Sequence, residues 1–199
     1  LVKVNVKGED IVLSADAILT ATGRRPNVEG LRLENAGVEL TERKAVKVDQ
    51  TLKTTAENIW AMGDVTGGLQ FTYISLDDSR IVASPLMGDH QRTTENRGNV
   101  PTSIFIDPPF SRVGLSEKEA VAAGYKIKAA RMQAMAIPKA KVLKQTDGML
   151  KMIINAETDQ ILGAHFFCAE SHELINLVKL AMDSGLPYQT LRDNIYTHP

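Results

Sequence analysis

The residues of this 199-residue sequence best placed to do chemistry lie in Asn58-Ile-Trp-Ala-Met-Gly-Asp-Val-Thr-Gly-Gly68, followed by Leu69-Gln-Phe-Thr72. Ile59 to Met62 is an unbroken apolar run, which suits a short strand buried on both faces. Gly63 lets the backbone approach a neighbour closely. Asp64 puts an acceptor-only side chain at the strand's C-terminal end, where open α/β sheets bind ligands. Gly67 and Gly68 turn the chain, and Thr72 is placed to cap a helix from about Tyr73. This order presents a carboxylate and free N–H groups to a hydroxylated, electron-rich ligand. An ordinary strand-to-helix turn with a capping aspartate fits the same residues equally well.

Other reactive side chains are less persuasive. Cys168 follows Phe166-Phe167 at a strand end and reads as buried packing rather than a redox centre. A Cys168, His172 and Glu173 metal site lacks His-x3-His or Cys-x2-Cys spacing, so no metal is expected. The better reading there is the start of a helix, with Ser171 and Glu173 near its dipole. His90 reads as solvated linker, and Lys139, Lys141 and Lys144 as a solvated face.

Composition narrows the class. The chain is 43% hydrophobic and 24% charged, with net charge -1. Nothing in that balance calls for a nucleic-acid partner. No apolar run approaches the roughly 18 residues of a membrane span. A single cysteine excludes an internal disulfide framework and fits a reducing cytoplasm. The chain lacks an initiator Met and begins inside a strand-like alternation, so it reads as a piece of a longer protein.

The elements that must position these residues follow from periodicity. Val2, Val4 and Val6 alternate with polar residues, and Ile11 to Leu13 can return as a hairpin partner. Asp16 to Thr22 reads as a buried strand ending in the loop Gly23-Arg-Arg-Pro-Asn27. Gly30 to Gly37 reads as one or two helical turns, and Ala45 to Asp49 as a short exposed strand. Tyr73 to Met87 reads as a helix with a polar edge at Asp77, Asp78 and Arg80. Gly88 to Asn99 is a linker. Strands are expected at 100–106, 111–114 and 125–136, then at 149–155 and 160–167 around a turn at Glu157-Thr-Asp159. Ser116 to Glu119 is a capping box, with Gly124 closing its helix. Pro138 to Lys144 reads as partly extended and Asp147-Gly148 as a hairpin turn. Ser171 to Ser184 is an amphipathic helix, and a short last helix leads to Tyr196-Thr-His-Pro199. Strands joined by short turns make this second half α+β with an antiparallel sheet.

Ala21-Thr-Gly-Arg-Arg-Pro-Asn27, Trp60-Ala-Met-Gly-Asp64 and Thr197-His-Pro199, with Arg112-Val-Gly-Leu115 and Leu162-Gly-Ala164, carry a resemblance in this order and spacing. The chain resembles the C-terminal half of the class I pyridine nucleotide-disulfide oxidoreductases, the glutathione reductase, lipoamide dehydrogenase and mercuric reductase group. Gly63 to Asp78, Ala136-Ile-Pro138 and Cys168 to Asn176 look most like the bacterial flavoproteins that resist reactive chlorine species and reduce hypothiocyanous acid.

The resemblance implies a fold: an α+β interface (dimerisation) domain with an antiparallel sheet and flanking helices, preceded by a partial α/β FAD/NAD(P)-binding region. Residues 1–22 would end the NAD(P)H domain, 23–98 would be the C-terminal part of the FAD domain plus linker, and 99–199 would form a homodimer. The family's first half, with its FAD phosphate loop and redox-active Cys-x4-Cys pair, is not in this sequence. By resemblance, Gly63 and Asp64 hold FAD, and Asp64 avoids the diphosphate by accepting from ribityl hydroxyls. Gln70, Phe71 and Thr72 would open the flavin-facing helix, whose N-terminal N–H groups favour negative charge at N1/O2 of reduced flavin. These three depart from the commoner Leu-Thr-Pro, so the backbone carries the role; Phe71 is as readily core as flavin contact. Gly23 is there for its backbone conformation where the nucleotide domains meet. Arg24 and Arg25 read as solvated by default. His198 resembles the acid/base histidine that reaches into the partner's active site, a role suited to imidazole; a cis bond to Pro199 would direct its ring.

The implied activity is transfer of electrons from NAD(P)H through FAD to a disulfide or a small oxidant such as hypothiocyanous acid. A flavoprotein without a redox disulfide, and a non-enzymatic dimerisation module, are the alternatives. The isolated 199 residues are expected to bind little FAD and to be inactive.

Overall fold

A computed structural model describes residues 1–88 and 91–198 of the chain. His90 and the bond from His198 to Pro199, both singled out above, therefore lie outside the described residues. The chain divides into two units, Leu1–Thr94 and Glu95–Pro199. Each is described by itself.

The first unit opens with a hairpin. β1 (Val2–Val6) and β2 (Glu9–Leu13) pair antiparallel, from Val2 opposite Leu13 to Val6 opposite Glu9. Lys7 and Gly8 both take positive φ, 54° and 94°, which gives the two-residue turn the twist of the strands. The expected strand at Asp16 to Thr22 does not form, and Ile18 and Leu19 are exposed. A strand exists only through ladder partners, and no described strand pairs with this run. Leu33–Ala36 forms one 3-10 turn between left-handed Arg32 and Gly37.

Single antiparallel bridges follow, Leu40 with Val46, Val48 with Thr54 and Lys53 with Trp60. Ala45 and Val46 are buried, not exposed as expected. The reason is that the Val46 N–H donates to Val65 O at 2.9 Å, which tucks this segment under the next turn. The run Ile59 to Met62 is bridged on one side only, and Ile59 and Met62 are exposed. It is an edge segment rather than a strand buried on both faces. α1 (Thr72–Met87) then closes the unit, burying Ile74, Asp78, Ile81 and Ser84.

The second unit is built on a five-stranded antiparallel sheet. Its strands are β3 (Thr102–Ile104), β4 (Phe110–Gly114), β5 (Ile127–Gln133), β6 (Met149–Asn155) and β7 (Ile161–Phe167), in spatial order β3-β4-β7-β6-β5. α2 (Glu117–Ala122) carries the expected capping box: Ser116 Oγ accepts the Glu119 N–H at 3.2 Å and Glu119 Oε2 accepts the Ser116 N–H at 2.7 Å. Pro138 to Lys144 is helical rather than extended. α3 (Pro138–Leu143) starts on Pro138, where a proline's missing N–H costs nothing. Asp147-Gly148 is accordingly no hairpin turn but the entry to β6. Gly148, at φ 112°, lies so close to β7 that a Cβ would sit 1.8 Å from Phe167 O.

α4 (Ser171–Asp183) lies on the sheet with Ser171, Ile175, Val178 and Ala181 buried, the three-to-four spacing of one helical face. They meet Val113, Ala164 and Phe166 in the core. α5 (Tyr188–Asp193) follows. Three serine hydroxyls stitch the sheet to α4: Ser103 Oγ to Ser111 Oγ at 2.8 Å and Ser111 Oγ to Ser171 Oγ at 3.0 Å, while Ser171 also donates to Pro109 O at 2.8 Å. Ser111 and Ser171 are fully buried. At the other end of α4, Asp183 pairs with Lys179 and accepts from the Asn99 backbone N–H at 2.9 Å and from Asn99 Nδ2 at 2.7 Å.

Two predictions follow. Ser111→Ala strips the buried Ser171 hydroxyl and the half-buried Ser103 hydroxyl of a shared partner, so urea unfolding of the chain should show a loss of about 1–3 kcal/mol. Burial raises the Asp183 pKa, but the bonds from Lys179 and Asn99 outweigh it and hold the carboxyl below the usual range. A depressed carboxylate contributes stability above its unfolded value and loses it as pH falls through the folded one. Thermal melts should therefore show the parent losing stability below about pH 4 more steeply than Asp183→Asn.

Candidate functional site

Gly63–Thr66 forms a single 3-10 turn that enters from extended Met62 and ends on left-handed Gly67. Gly63 itself takes φ +74°, and a Cβ there would lie 2.9 Å from Ser75 Oγ on α1. At Gly67, φ +73°, a Cβ would lie 2.7 Å from Ala45 Cβ. Both positions exclude a side chain twice over, by conformation and by contact. The turn is thus clamped between α1 and the Ala45–Val46 segment.

Asp64 projects from this turn with its side chain 48% exposed, and Arg24 Nη1 approaches Asp64 Oδ2 to 3.6 Å. The pair is open to water and adds about 0–1 kcal/mol at most. Asp64 makes no side-chain capping bond to its own turn or to α1, which removes the capping explanation. Arg24 is therefore a partner of Asp64, whereas Arg25 faces Glu29 at 3.4 Å in solvent. A cleft of about 690 Å³ opens alongside, lined by Arg24, Arg25, Arg43, Thr66, Gly68 and Gln70.

α1 begins one residue earlier than expected. Thr72 is its first residue, so it cannot cap; Phe71 holds the cap position in extended conformation with no side-chain bond. Phe71 O accepts the Ile74 and Ser75 N–H groups at 3.0 and 3.1 Å. The Phe71 side chain makes no bond to the helix's positive end, a terminus that favours a negatively charged ligand group. Phe71 is half-buried and stacks on Tyr73, with ring centroids 5.1 Å apart. Partial burial pushes the Tyr73 hydroxyl above its ordinary pKa, so it remains a donor at neutral pH. Gly23, at φ +92° with open space where a Cβ would stand, serves the turn after the Asp16 to Thr22 run.

Sequence reasoning missed Asp78. It was assigned to the polar edge of α1 with Asp77 and Arg80, yet it is 3% exposed. Its Oδ2 accepts the Gly63 N–H at 2.8 Å. The signal was available: Asp78 falls between Ile74 and Ile81 at the spacing of one face. Its neighbour Asp77 points elsewhere and pairs with Arg92.

In the second unit His198 is exposed beyond α5, in a tail whose Ile195 is fully open to solvent. Cys168 is buried, and burial raises its thiol pKa, as suits packing rather than nucleophilic chemistry. The His172 ring lies 3.7 Å from Glu170 and 4.0 Å from Glu173, and no metal-ligand cluster occurs among the described residues. Ser171 bonds to Ser111 and Pro109 instead of capping α4.

Comparison with known proteins covers both units. Residues 1–79 match the pyridine nucleotide-disulphide oxidoreductase family, and residues 100–199 match its dimerisation domain. The chain is 53% identical over 197 residues to the probable pyridine nucleotide-disulfide oxidoreductase RclA of Escherichia coli K12, covering 99% of this chain and 45% of RclA. It is 37% identical over 191 residues to a mercuric reductase of Staphylococcus aureus, covering 96% of this chain and 35% of that protein. The solved structure of the HOCl-induced flavoprotein disulfide reductase RclA from Escherichia coli matches with a TM-score of 0.93 at 52% identity, covering 99% of this chain and 45% of that one. The chain spans less than half the length of these relatives. No described helix is long and apolar enough to cross a membrane. With both units matched, the chain belongs to the pyridine nucleotide-disulphide oxidoreductase family and carries its dimerisation domain.

Proposed function

We propose that this chain is the C-terminal portion of an FAD-dependent NAD(P)H:disulfide oxidoreductase, or of one acting on a small oxidant such as hypothiocyanous acid. It supplies part of the FAD site, the homodimer interface and an acid/base histidine. The observation that carries the reading is the Gly63-Asp64 turn, held against α1 near its N-terminal turn with an outward carboxylate. The residues present fit the cofactor. Gly63 and Gly67 let the turn pack closely on Ser75 and Ala45, and the outward Asp64 offers acceptors to ribityl hydroxyls. The entry to α1, at Gln70, Phe71 and Thr72, offers backbone N–H groups and the positive end of the dipole. Arg24 is close enough to balance Asp64 and itself lines the cleft beside Thr66 and Gly68. FAD, when bound, supplies two-electron redox chemistry between a nicotinamide and the oxidant.

Residues 1–22 close the NAD(P)H domain, with Gly23 turning the chain out of it. Residues 23–98 complete the FAD domain and linker, and 99–199 form the dimer. Supporting the dimer is a second apolar row on α4, Leu174, Leu177 and Leu180, exposed beside the buried one; a second copy would cover it. His198, exposed in its tail, would take its orientation from the other subunit and exchange a proton with the attacking thiolate or the leaving group. A lone buried cysteine is consistent with a cytoplasmic setting.

In the complete protein, Asp64→Ala should weaken FAD binding about tenfold or more, read by flavin fluorescence on titration. His198→Ala should slow turnover by about 10²–10⁴-fold while stopped-flow reduction of the flavin by NAD(P)H stays near parent. Failed flavin reduction in His198→Ala, or parent-like FAD affinity in Asp64→Ala, would each contradict the assigned role. Sedimentation should give a dimer, which Leu177→Glu shifts toward monomer.

A further inference from the structure

The cofactor reading rests on a backbone turn, and that turn depends on a residue the reading does not use. Gly63 and Asp78 are 15 residues apart in sequence. Gly63 nonetheless sits on α1 over Ser75, within 2.9 Å at the position of a Cβ, and its N–H ends on Asp78 Oδ2 at 2.8 Å. Ser75 and Asp78 are three residues apart on α1 and so share a face. The turn is thus fitted to this face both by shape and by a directed bond.

Asp78 is 3% exposed and lies in the apolar row of Ile74 and Ile81. Burying a carboxyl group is costly unless its oxygens find donors. A leucine there would pack as well and remove that cost, but it could not hold the Gly63 N–H. Asp64, next in sequence, inherits its direction from the Gly63 backbone, and α1 supplies the N-terminal N–H groups. One bond therefore sets the two ligand-facing features relative to each other.

We propose that Asp78 is a positioning residue for the flavin site: acting through the Gly63 N–H, it fixes where Asp64 stands relative to the N-terminal turn of α1. Its contribution is geometric, and the acceptor oxygen is the part that matters. An isosteric amide, which keeps that oxygen, should therefore substitute for it.

The test compares Asp78→Ala, Asp78→Asn and Asp64→Ala in the complete flavoprotein. Readouts are FAD affinity by fluorescence titration, thermal stability by circular dichroism and hydrogen-exchange protection of the Gly63 amide. Asp78→Ala should lose Gly63 protection and bind FAD about tenfold more weakly, while Asp78→Asn keeps both near parent. If Asp78→Ala loses thermal stability but binds FAD like the parent, Asp78 is only structural and the proposal fails. If Asp64→Ala binds FAD like the parent, it is the flavin reading of the turn that fails. Should Asp78→Ala not accumulate as folded protein, Asp78→Asn decides alone. Parent-like affinity with Gly63 still protected supports the acceptor role, and weakened affinity with Gly63 still protected overturns it.

Discussion

The candidate site depends on one hydrogen bond, from the Gly63 N–H to the buried Asp78 Oδ2. Without it, the direction of the exposed carboxylate on this short 3-10 turn would rest on packing alone. Glycine conformation alone does not define it, because positive φ at Gly63 and Gly67 permits the turn without selecting its place. The selection comes from contacts on two sides: Ser75 and Asp78 of α1 against Gly63, and Ala45 against Gly67. The Val46 N–H bond to Val65 O closes the second side. The turn is therefore held by parts of the chain on both its N- and C-terminal sides, while its outward carboxylate meets the solvent-exposed Arg24.

How much of this was legible in the sequence follows from how local each determinant is. β6 and β7 join around Asn155 to Asp159, and the Asn155 side chain accepts the Glu157 N–H within that turn. The capping box of α2 is likewise contained in a few residues, and both were readable; the first hairpin was readable as a hairpin, though its return strand starts at Glu9, two residues before the expected Ile11. The runs Asp16 to Thr22 and Ile59 to Met62 read as buried strands because they are apolar. Apolarity does not provide a ladder, however, and these segments have none or one bridge. Pro138 misled in the opposite direction: proline suggests extension, but at the first helical position it starts α3.

The same distinction sorts the site. Gly63, Asp64 and the helix start at Phe71 and Thr72 were visible as an order of residue types. The Arg24 partner of Asp64 was not, since 39 intervening residues bring no periodicity to bear on it. Asp78 was misassigned for a subtler reason. Asp77 and Asp78 are adjacent acids, and adjacency suggests one polar edge. On a helix, neighbours are about 100° apart, enough to send Asp77 to Arg92 and Asp78 into the core. Counting from Ile74 and Ile81, rather than from Asp77, places it correctly.

α4 shows how one helix can serve two surfaces. Its period gives one row, Ser171, Ile175, Val178 and Ala181, to the sheet. A second row, Leu174, Leu177 and Leu180, is equally apolar and remains exposed. Folding of this unit does not require the second row to be leucine; polar residues there would cost no core packing. Three large apolar side chains at one spacing instead match what a dimerisation domain needs, a face completed by another copy. The tail beyond α5 has the same character. Ile195, Tyr196 and His198 all stand exposed. A proton-transferring imidazole is useful only when held in place, so the chemistry assigned to His198 and the surface assigned to α4 require the same partner.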